Sequence, residues 1–379
     1  MEKMPLVSII TINYKNYLDT IECLASLRGI EYYPYQIIVI DNNSPNDSFA
    51  RIKKWLKAEE RVDFNWNSLN MGTIAGLSNP VAFISYRFDG EEFIEEEKQL
   101  LNNSNDSEKT KKNSERPLIL INSNKNLGFS GANNLGVKFA LKNNSPELFW
   151  FLNNDTVVEK QALSALINTI CKDQKIGLVG SKLLYYYNPD CIQYLGGGKI
   201  KYNYATFPYQ DSKDFVAEDI EFKGYITGAS FLIKREVTDR VGLWDENFFM
   251  SVEDVEYSFR IKKAGYKLYA CSGSRIYHKD GASTKTKKEN RYFLGRKTKR
   301  VSFNSFNLPG YYDLRNWIYF NKKHRTLISK MFCYYLFLPA YFLAVIIFII
   351  FFDDHKFGRI KLVVKAFKDG LTNKLGPLI

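Results

Sequence analysis

The chain has 379 residues, 45% hydrophobic and 25% charged, a balance that excludes wholesale disorder and allows one large domain with an appendage or two modest ones. A net charge of +12 invites an anionic partner and does not choose among nucleic acid, an anionic membrane and a nucleotide diphosphate. Cys23, Cys171, Cys191, Cys271 and Cys333 are widely spaced with no CxxC pair, which points away from a zinc site or a disulfide framework.

The N-terminus, MEKMPLVSIITINY, enters a short apolar run without the cleavage site of a secretory signal, so the body is expected in the cytoplasm. VSIITIN reads as a buried strand, and Leu18, Ile21, Leu24 and Leu27 recur with helical spacing after it. IIVI at 37–40 is a second strand ending in DNNS, and LILI at 118–121 a third ending in NSNKNLGFSG, with the helix GANNLGVKFALK following. LFWFL at 148–152 is a fourth, ending in NNDT. Strands alternating with helices predict an α/β fold, a parallel sheet with helices on both faces. The long connection between the second and third strands predicts a polar, solvated insertion at about 62–116, with LNNSNDSEKTKKNSER at its tip. Further on, ITGASFLIKR reads as a strand, a helix begins near Glu253, and the strand-like RIYH ends in His278.

Ligands of such sheets sit beyond the carboxyl ends of the strands. Here those ends carry Asn13, Asp41, Asn126 and the pair Asn154 and Asp155. An acid directly after a central strand suits a magnesium or manganese ion held against a diphosphate, although Asn and Asp also serve as turn and N-cap residues. Glu253, Asp254, Glu256 and Arg260 fall within one helical stretch, where Glu256 and Arg260 have the spacing of a surface ion pair. His278, at a strand end, suits a metal ligand or a general base as well as a structural role, and a nitrogen ligand favours manganese modestly. GFSGANNLG at 128–136 fits neither a P-loop nor GxGxxG.

Taken in order, VSIITINY, IIVIDNNS, NKNLGFSGANNLG, FLNNDTVV, TGASFLIKR, GLWDENFFMSVEDVEYSFR, YHKDGAS and YYDLRNWIYF resemble the family-2 glycosyltransferases, in the branch of rhamnosyltransferases and galactofuranosyltransferases. The resemblance implies a GT-A fold and transfer of a sugar with inversion from a nucleotide-diphosphate donor. It carries Thr11, Asn13 and Tyr14 onto the first nucleotide-binding strand end, and Asp41, with Asn43 beside it, onto the acid that contacts base or ribose. Asn126, Gly128 and Asn134 fall on the glycine-rich donor loop. Asp155 corresponds to the last acid of the DxD-type motif and His278 to a second ligand of Mn2+ or Mg2+. Many relatives have Asp where this chain has Asn153, followed by Asn154; an amide there still suits a ribose hydroxyl, and metal affinity is what the change touches. Asp254 matches the general base that takes the acceptor's proton. Trp244, Asp245, Glu253 and Arg260 are then expected near a glycan or lipid-linked acceptor, with Trp244 either a sugar platform or a core residue.

The segment MFCYYLFLPAYFLAVIIFIIFF at 331–352 is uncharged and long enough to span a bilayer, with basic flanks on both sides. Positive flanks favour the cytoplasmic side, so a re-entrant hairpin bent near Pro339 competes with a single span. IKLVVKAFKDGL reads as an interfacial helix. The expected organisation is a catalytic domain at 1–300 and a membrane-associating helical region at 301–379, held at the cytoplasmic face of the cell membrane by anionic lipid. Nucleic acid as the partner would leave the strand-end carboxylates unexplained. A sugar-phosphate nucleotidyltransferase would need an N-terminal glycine-rich signature that is absent, and a scaffold without catalysis has only Asn153 in its favour. A homo-oligomer is left open.

Overall fold

The structure is a computed structural model that describes residues 4–74, 80–100, 116–201, 204–214, 216–279, 292–293, 296–297, 308–326, 338–352 and 356–378. The chain divides into two compact units. One comprises Met1–Trp244 with Tyr257–Ala282, and the other Asp245–Glu256 with Ser283–Ile379. The short segment Asp245–Glu256 is therefore counted with the C-terminal helices, a division that the expected boundary at residue 300 does not contain.

The strands are β1 (Val7–Asn13), β2 (Tyr35–Asp41), the small hairpin β3 (Phe64–Trp66) and β4 (Gly72–Ile74), β5 (Phe83–Phe88), β6 (Phe93–Gln99), β7 (Leu118–Ser123), β8 (Leu148–Leu152) and β9 (Thr156–Val158). They continue with β10 (Ile176–Tyr185), β11 (Asn188–Leu195), β12 (Gly197–Lys201), β13 (Tyr204–Thr206), β14 (Ile220–Glu221), β15 (Tyr225–Ile226), β16 (Ser230–Lys234) and β17 (Lys267–His278). The helices of the first unit are α1 (Tyr17–Leu27), α2 (Ser48–Leu56), α3 (Gly128–Asn143), α4 (Ala162–Ile170) and α5 (Arg235–Val241), followed by α6 (Glu253–Lys263). The second unit continues with α7 (Leu308–His324), α8 (Leu338–Phe352) and α9 (Lys356–Thr372).

The main sheet runs β14-β17-β10-β16-β8-β1-β2-β7-β5-β6, with β11 paired to β10 and β9 to β17. From β8 through β1, β2 and β7 to β5 every pairing is parallel, and the near-continuous apolar runs of these strands suit burial on both faces. Beyond this half the expected parallel pairing recurs, among the described residues, only between β10 and β17. β16 enters antiparallel between β8 and β10, and β6 closes the far edge antiparallel to β5, so the sheet is mixed. Helices α1 to α5 connect and cover these strands, and α3 packs on β1 and β2.

The predicted insertion also needs correction, because β5 extends the sheet beside β7 and buries Phe83 and Ser85. Next to it lies β6, FIEEEKQ, an edge strand whose charged side chains remain largely exposed. Such charge guards an open sheet edge against further pairing. Residues 101–115 lie outside the described residues.

In the second unit, Tyr311, Tyr312, Leu314, Ile318, Leu338, Val345, Ile349, Val363 and Ala366 form a separate core shared by α7, α8 and α9. α8 has 15 residues, about 22 Å of helix against the roughly 30 Å of a bilayer core. Among the described residues no helix is long and apolar enough to cross a membrane, so the span expected at 331–352 is not seen. Pro339 is the second described residue of this helix, so a bend there falls at the limit of the described residues. Residues 331–337 lie outside the described residues.

Candidate active site

The parallel register sets Asn13 opposite Asp41 at the carboxyl ends of β1 and β2. Both are buried. The Asn13 amide donates to Asp41 Oδ2 at 2.5 Å and to Ser44 Oγ at 3.2 Å, and its carbonyl oxygen accepts from Thr20 Oγ1 at 2.8 Å. Asp41 Oδ1 accepts the Ser44 N–H at 2.8 Å, which ties off the turn after β2. Asn43 lies exposed in that turn with φ 59°, a left-handed conformation that Asn tolerates. Thr11 is fully buried, whereas Tyr14 is 40% exposed, with the Lys15 ammonium 4.8 Å from its ring centre.

Asn42, which the sequence reading passed over, joins this end to the glycine-rich loop. Its amide donates to Asn126 Oδ1 at 3.0 Å and to the Gly128 carbonyl at 3.1 Å, and its oxygen accepts the Leu127 N–H at 2.8 Å. Asn126 Oδ1 also accepts the Gly128 N–H at 2.9 Å, and Gly128 has φ 70°, where a side chain would be strained. Asn134 is placed differently from the donor-loop expectation. Its side chain donates to the Trp244 carbonyl at 3.0 Å and accepts the Trp244 N–H at 3.1 Å, so it fastens α3 to the segment before residue 245.

At the end of β8, the Asn153 N–H donates to the Ala229 carbonyl at 2.9 Å, and Asn154 donates to Thr20 Oγ1 at 2.9 Å. The antiparallel pairing of β9 with β17 sets Thr156 opposite His278 and so brings the neighbouring Asp155 to it. Asp155 Oδ1 lies 3.1 Å from His278 Nε2. On the other side of the ring, Nδ1 is 2.8 Å from Gln193 Oε1, an acceptor, so Nδ1 carries the proton and Nε2 is turned to the carboxylate. Burial raises the Asp155 carboxyl's proton affinity, but when Nε2 also takes up a proton the charge and hydrogen bond of the His278 imidazolium outweigh it and hold the group below the usual carboxylate range.

Beside this pair, Lys279 donates through its backbone N–H to the Asp155 carbonyl at 3.0 Å and pairs through its ammonium with Asp19 and Glu22. Glu22 is held in turn by Trp66 Nε1 at 2.6 Å and the Tyr186 hydroxyl at 2.8 Å. Sequence reasoning missed Thr20, Ser44, Asn42, Gln193, Lys279, Asp19 and Glu22, because nothing in the local pattern of α1 or β11 shows which strand end it will face.

Asp155 and His278 fit a divalent cation. A carboxylate oxygen and an unprotonated imidazole nitrogen are both recognised ligands, Gln193 fixes the ring as an outer partner should, and two such acceptors face each other stably only with a proton or a cation between them. Among the described residues no group of three or more His, Cys, Asp or Glu side chains is arranged to hold a metal, so these two would leave the remaining positions to diphosphate oxygens and water.

Two expected acceptor residues of this unit are turned inward. Trp244 is 3% exposed and packs on Phe129, Phe151 and Phe231, with its ring stacked on Tyr257 at 4.7 Å. It is a core residue here, not an exposed sugar platform. Arg260 donates to the carbonyls of Val241 at 2.6 Å and Leu243 at 2.7 Å and lies over the Tyr257 ring, closing the turn after α5.

In the second unit, Asp245 caps the short helical turn Glu246–Phe248 by accepting the Asn247 N–H at 3.0 Å, and it pairs with Lys323 at 2.7 Å. Lys323 also reaches the fully buried Glu256 at 2.8 Å, where His324 Nε2 stands at 3.0 Å. Asp254 Oδ1 accepts the Val255 N–H at 2.8 Å. Glu253 Oε2 is buried without a hydrogen-bond partner, and burial, then the charge of Asp254, push this carboxyl up to about 8. Asp313 on α7 has an open side, yet desolvation by its surroundings and the Asp254 charge push it up to about 6 against a hydrogen bond from Trp317. Asp254 thus stands in a carboxyl cluster in which Glu253 holds its proton to higher pH than a free carboxyl does.

Two family models match the chain. The model described as "Glycosyltransferase like family 2" covers residues 104–295, and "Glycosyl transferase family 2" covers residues 8–82. Among curated proteins, the chain is similar to the low-salt glycan biosynthesis hexosyltransferase Agl10 of Haloferax volcanii, with 23% identity over 45% of this chain and 55% of that protein. It is also similar to the N-acetylglucosaminyl-diphospho-decaprenol L-rhamnosyltransferase of Mycobacterium tuberculosis, with 37% identity over 15% of this chain and 19% of that protein. The chain thus spans about half the length of the first of these relatives and less of the second. Among solved structures, GalNAc-T7 with UDP, GalNAc and Mn2+ aligns with 98% of this chain and 57% of its own, at a TM-score of 0.54 and 14% identity, a likeness of fold alone. With a sheet of this topology and a family model matching half its length, the chain belongs to the family-2 glycosyltransferases.

Proposed function

We propose that the protein is an inverting glycosyltransferase that moves a sugar from a nucleotide-diphosphate donor to a hydroxyl of a lipid-linked or cell-surface glycan. The observation that carries this reading is the Asp155–His278 pair at 3.1 Å, set beside the strand ends that carry Asn13 and Asp41. Asn13 and Asp41 bind the nucleoside, and the amides of the Asn126–Gly128 turn approach the donor. Asp155 and His278 hold Mn2+ or Mg2+, which when bound neutralises charge on the departing diphosphate. Asp254 takes the proton from the acceptor hydroxyl as its oxygen bonds to the anomeric carbon and the bond from that carbon to the diphosphate oxygen breaks. A base of this kind contributes about 10² to 10⁴ in rate. Rhamnose from dTDP-rhamnose is the first donor to test, given the rhamnosyltransferase among the relatives, and a UDP-hexose the second.

The proposed location is the cytoplasmic face of a membrane. Support comes from α8, whose Leu343, Ile347, Ile350 and Phe351 are exposed on one side, with the exposed cations Lys356 and Lys361 following on α9. Apolar side chains with basic neighbours suit contact with an anionic bilayer surface without crossing it.

The test is a thermal-shift panel of dTDP, UDP, GDP and CDP with and without manganese, followed by product analysis with the matching sugar donor. Manganese-dependent stabilisation by one nucleotide, and loss of transfer but not of nucleotide binding in Asp254→Asn, are expected. No response to any nucleotide refutes the reading.

A further inference from the structure

The six residues before Asp254 and its neighbour Glu253 follow an unusual backbone path. Phe249, Ser251 and Val252 have φ of 51°, 69° and 69°, and none is glycine. L side chains avoid this region, and a β-branched residue such as Val252 avoids it most. Such a turn persists only where its surroundings over-determine it.

The surroundings in this case are two adjacent residues of α7. Asn316 is fully buried, and its side-chain amide lies 2.7 Å from each of the carbonyls of Phe248, Met250 and Ser251. Two N–H bonds are shared among three acceptors, so the amide gathers the carbonyls of the strained turn around one point. The Asn316 oxygen is occupied by Arg315 Nε at 2.9 Å, which fixes the amide's orientation with its nitrogen towards the turn. The Arg315 guanidinium is itself buried, donates to the Gly376 carbonyl at 2.6 Å and to that of Phe248 at 3.4 Å, and lies over the Tyr312 ring at 4.8 Å. Downstream, the Val252 carbonyl accepts the Glu256 N–H at 3.0 Å, the bond that starts α6. The path of the turn therefore sets where the first turn of α6, and Asp254 with it, begins.

We infer that Asn316, oriented by Arg315, is a positioning residue that clamps the left-handed turn at 249–252 and thereby fixes Asp254 for proton removal from the acceptor. The inference rests on the reading of Asp254 as the base. A clamp of this kind acts through Asp254 alone, and its loss is worth less than loss of the base itself.

The experiment is a double-mutant cycle on the full chain with Asn316→Ala, Asp254→Asn and both together. Transfer is measured from dTDP-rhamnose, and from UDP-hexoses, to a synthetic lipid-linked N-acetylglucosaminyl diphosphate. Asn316→Ala is expected to lower kcat by about 10- to 100-fold, below the range a general base supplies, with the donor KM and nucleotide binding unchanged. The double variant is expected to be no slower than Asp254→Asn alone, since a clamp has nothing to position once the base is gone. Should Asn316→Ala not fold, Asn316→Ser, which keeps one donor, carries the same cycle. A wild-type rate in the Asn316 variant, or a double variant slowed again by the Asn316 factor, overturns the inference. Full activity in Asp254→Asn, or no transfer by the wild type from either donor class, instead overturns the reading on which it rests.

Discussion

Replacing Glu253 with glutamine should stabilise the protein, and the gain should grow with pH. In the folded chain this carboxyl is pushed from 4.5 up to about 8, first by burial and then by the Asp254 charge, and its Oε2 has no hydrogen-bond partner. Between these two values the unfolded chain has released the proton while the folded chain still holds it. Stability from this group is therefore complete below the lower value and falls as pH rises towards the upper one. At ~1.4 kcal/mol per pH decade the ceiling is about 5 kcal/mol. Partial exposure and the interaction with Asp254 reduce that to an expected 1–3 kcal/mol, on the order found when a buried polar group loses its hydrogen bond. Glutamine keeps the shape and does not titrate. Urea unfolding of the variant and wild type at about pH 5, 7 and 9 gives the difference at each pH, which cancels the titration of all other groups. A small difference at the lowest pH that widens and then levels off is expected. A difference that stays flat across the range would mean that Glu253 ionises normally and that the carboxyl cluster around Asp254 is misread.

Trp244→Ala should cost about 3–5 kcal/mol of stability, as expected for a large aromatic removed from a packed core; unchanged unfolding with a raised acceptor KM would return the ring to the role of sugar platform. His278→Ala should weaken manganese-dependent nucleotide binding by at least about 10- to 100-fold while leaving metal-free binding unchanged, as read from thermal shifts across a manganese titration. Retention of the manganese response would exclude His278 as a ligand.

Much of the donor half was legible because parallel strands buried on both faces are written as apolar runs and end in recognisable polar turns. The runs IIVI, LILI and LFWFL became β2, β7 and β8, and RIYH became the end of β17. The strands that were not legible, β5, β6, β10 and β11, form two antiparallel hairpins, and β5 and β10 meet their other sheet neighbours, β7, β16 and β17, only in the fold. FIEEEKQ has the composition of a solvated loop and becomes a strand only because β5 offers it an edge. Asn134 and Arg260 were misplaced for a related reason, which also left Trp244 open between platform and core. Their types suit binding surfaces, and only packing decides that the indole enters an aromatic core and that the amide and guanidinium are consumed by backbone carbonyls.

The sequence by itself determined the family, the central parallel strands and the residues at their carboxyl ends, because local periodicity and motif order are properties of the chain alone. Tertiary structure decided the rest. It brought Asp155 to His278, more than a hundred positions away, through the pairing of β9 with β17, and oriented that imidazole with Gln193. It also turned an asparagine in the middle of α7 into the clamp on a strained turn near Asp254. Hydrogen bonds and charges act over a few ångströms of space, and the spacing of residues along a sequence does not say which of them will come within that reach.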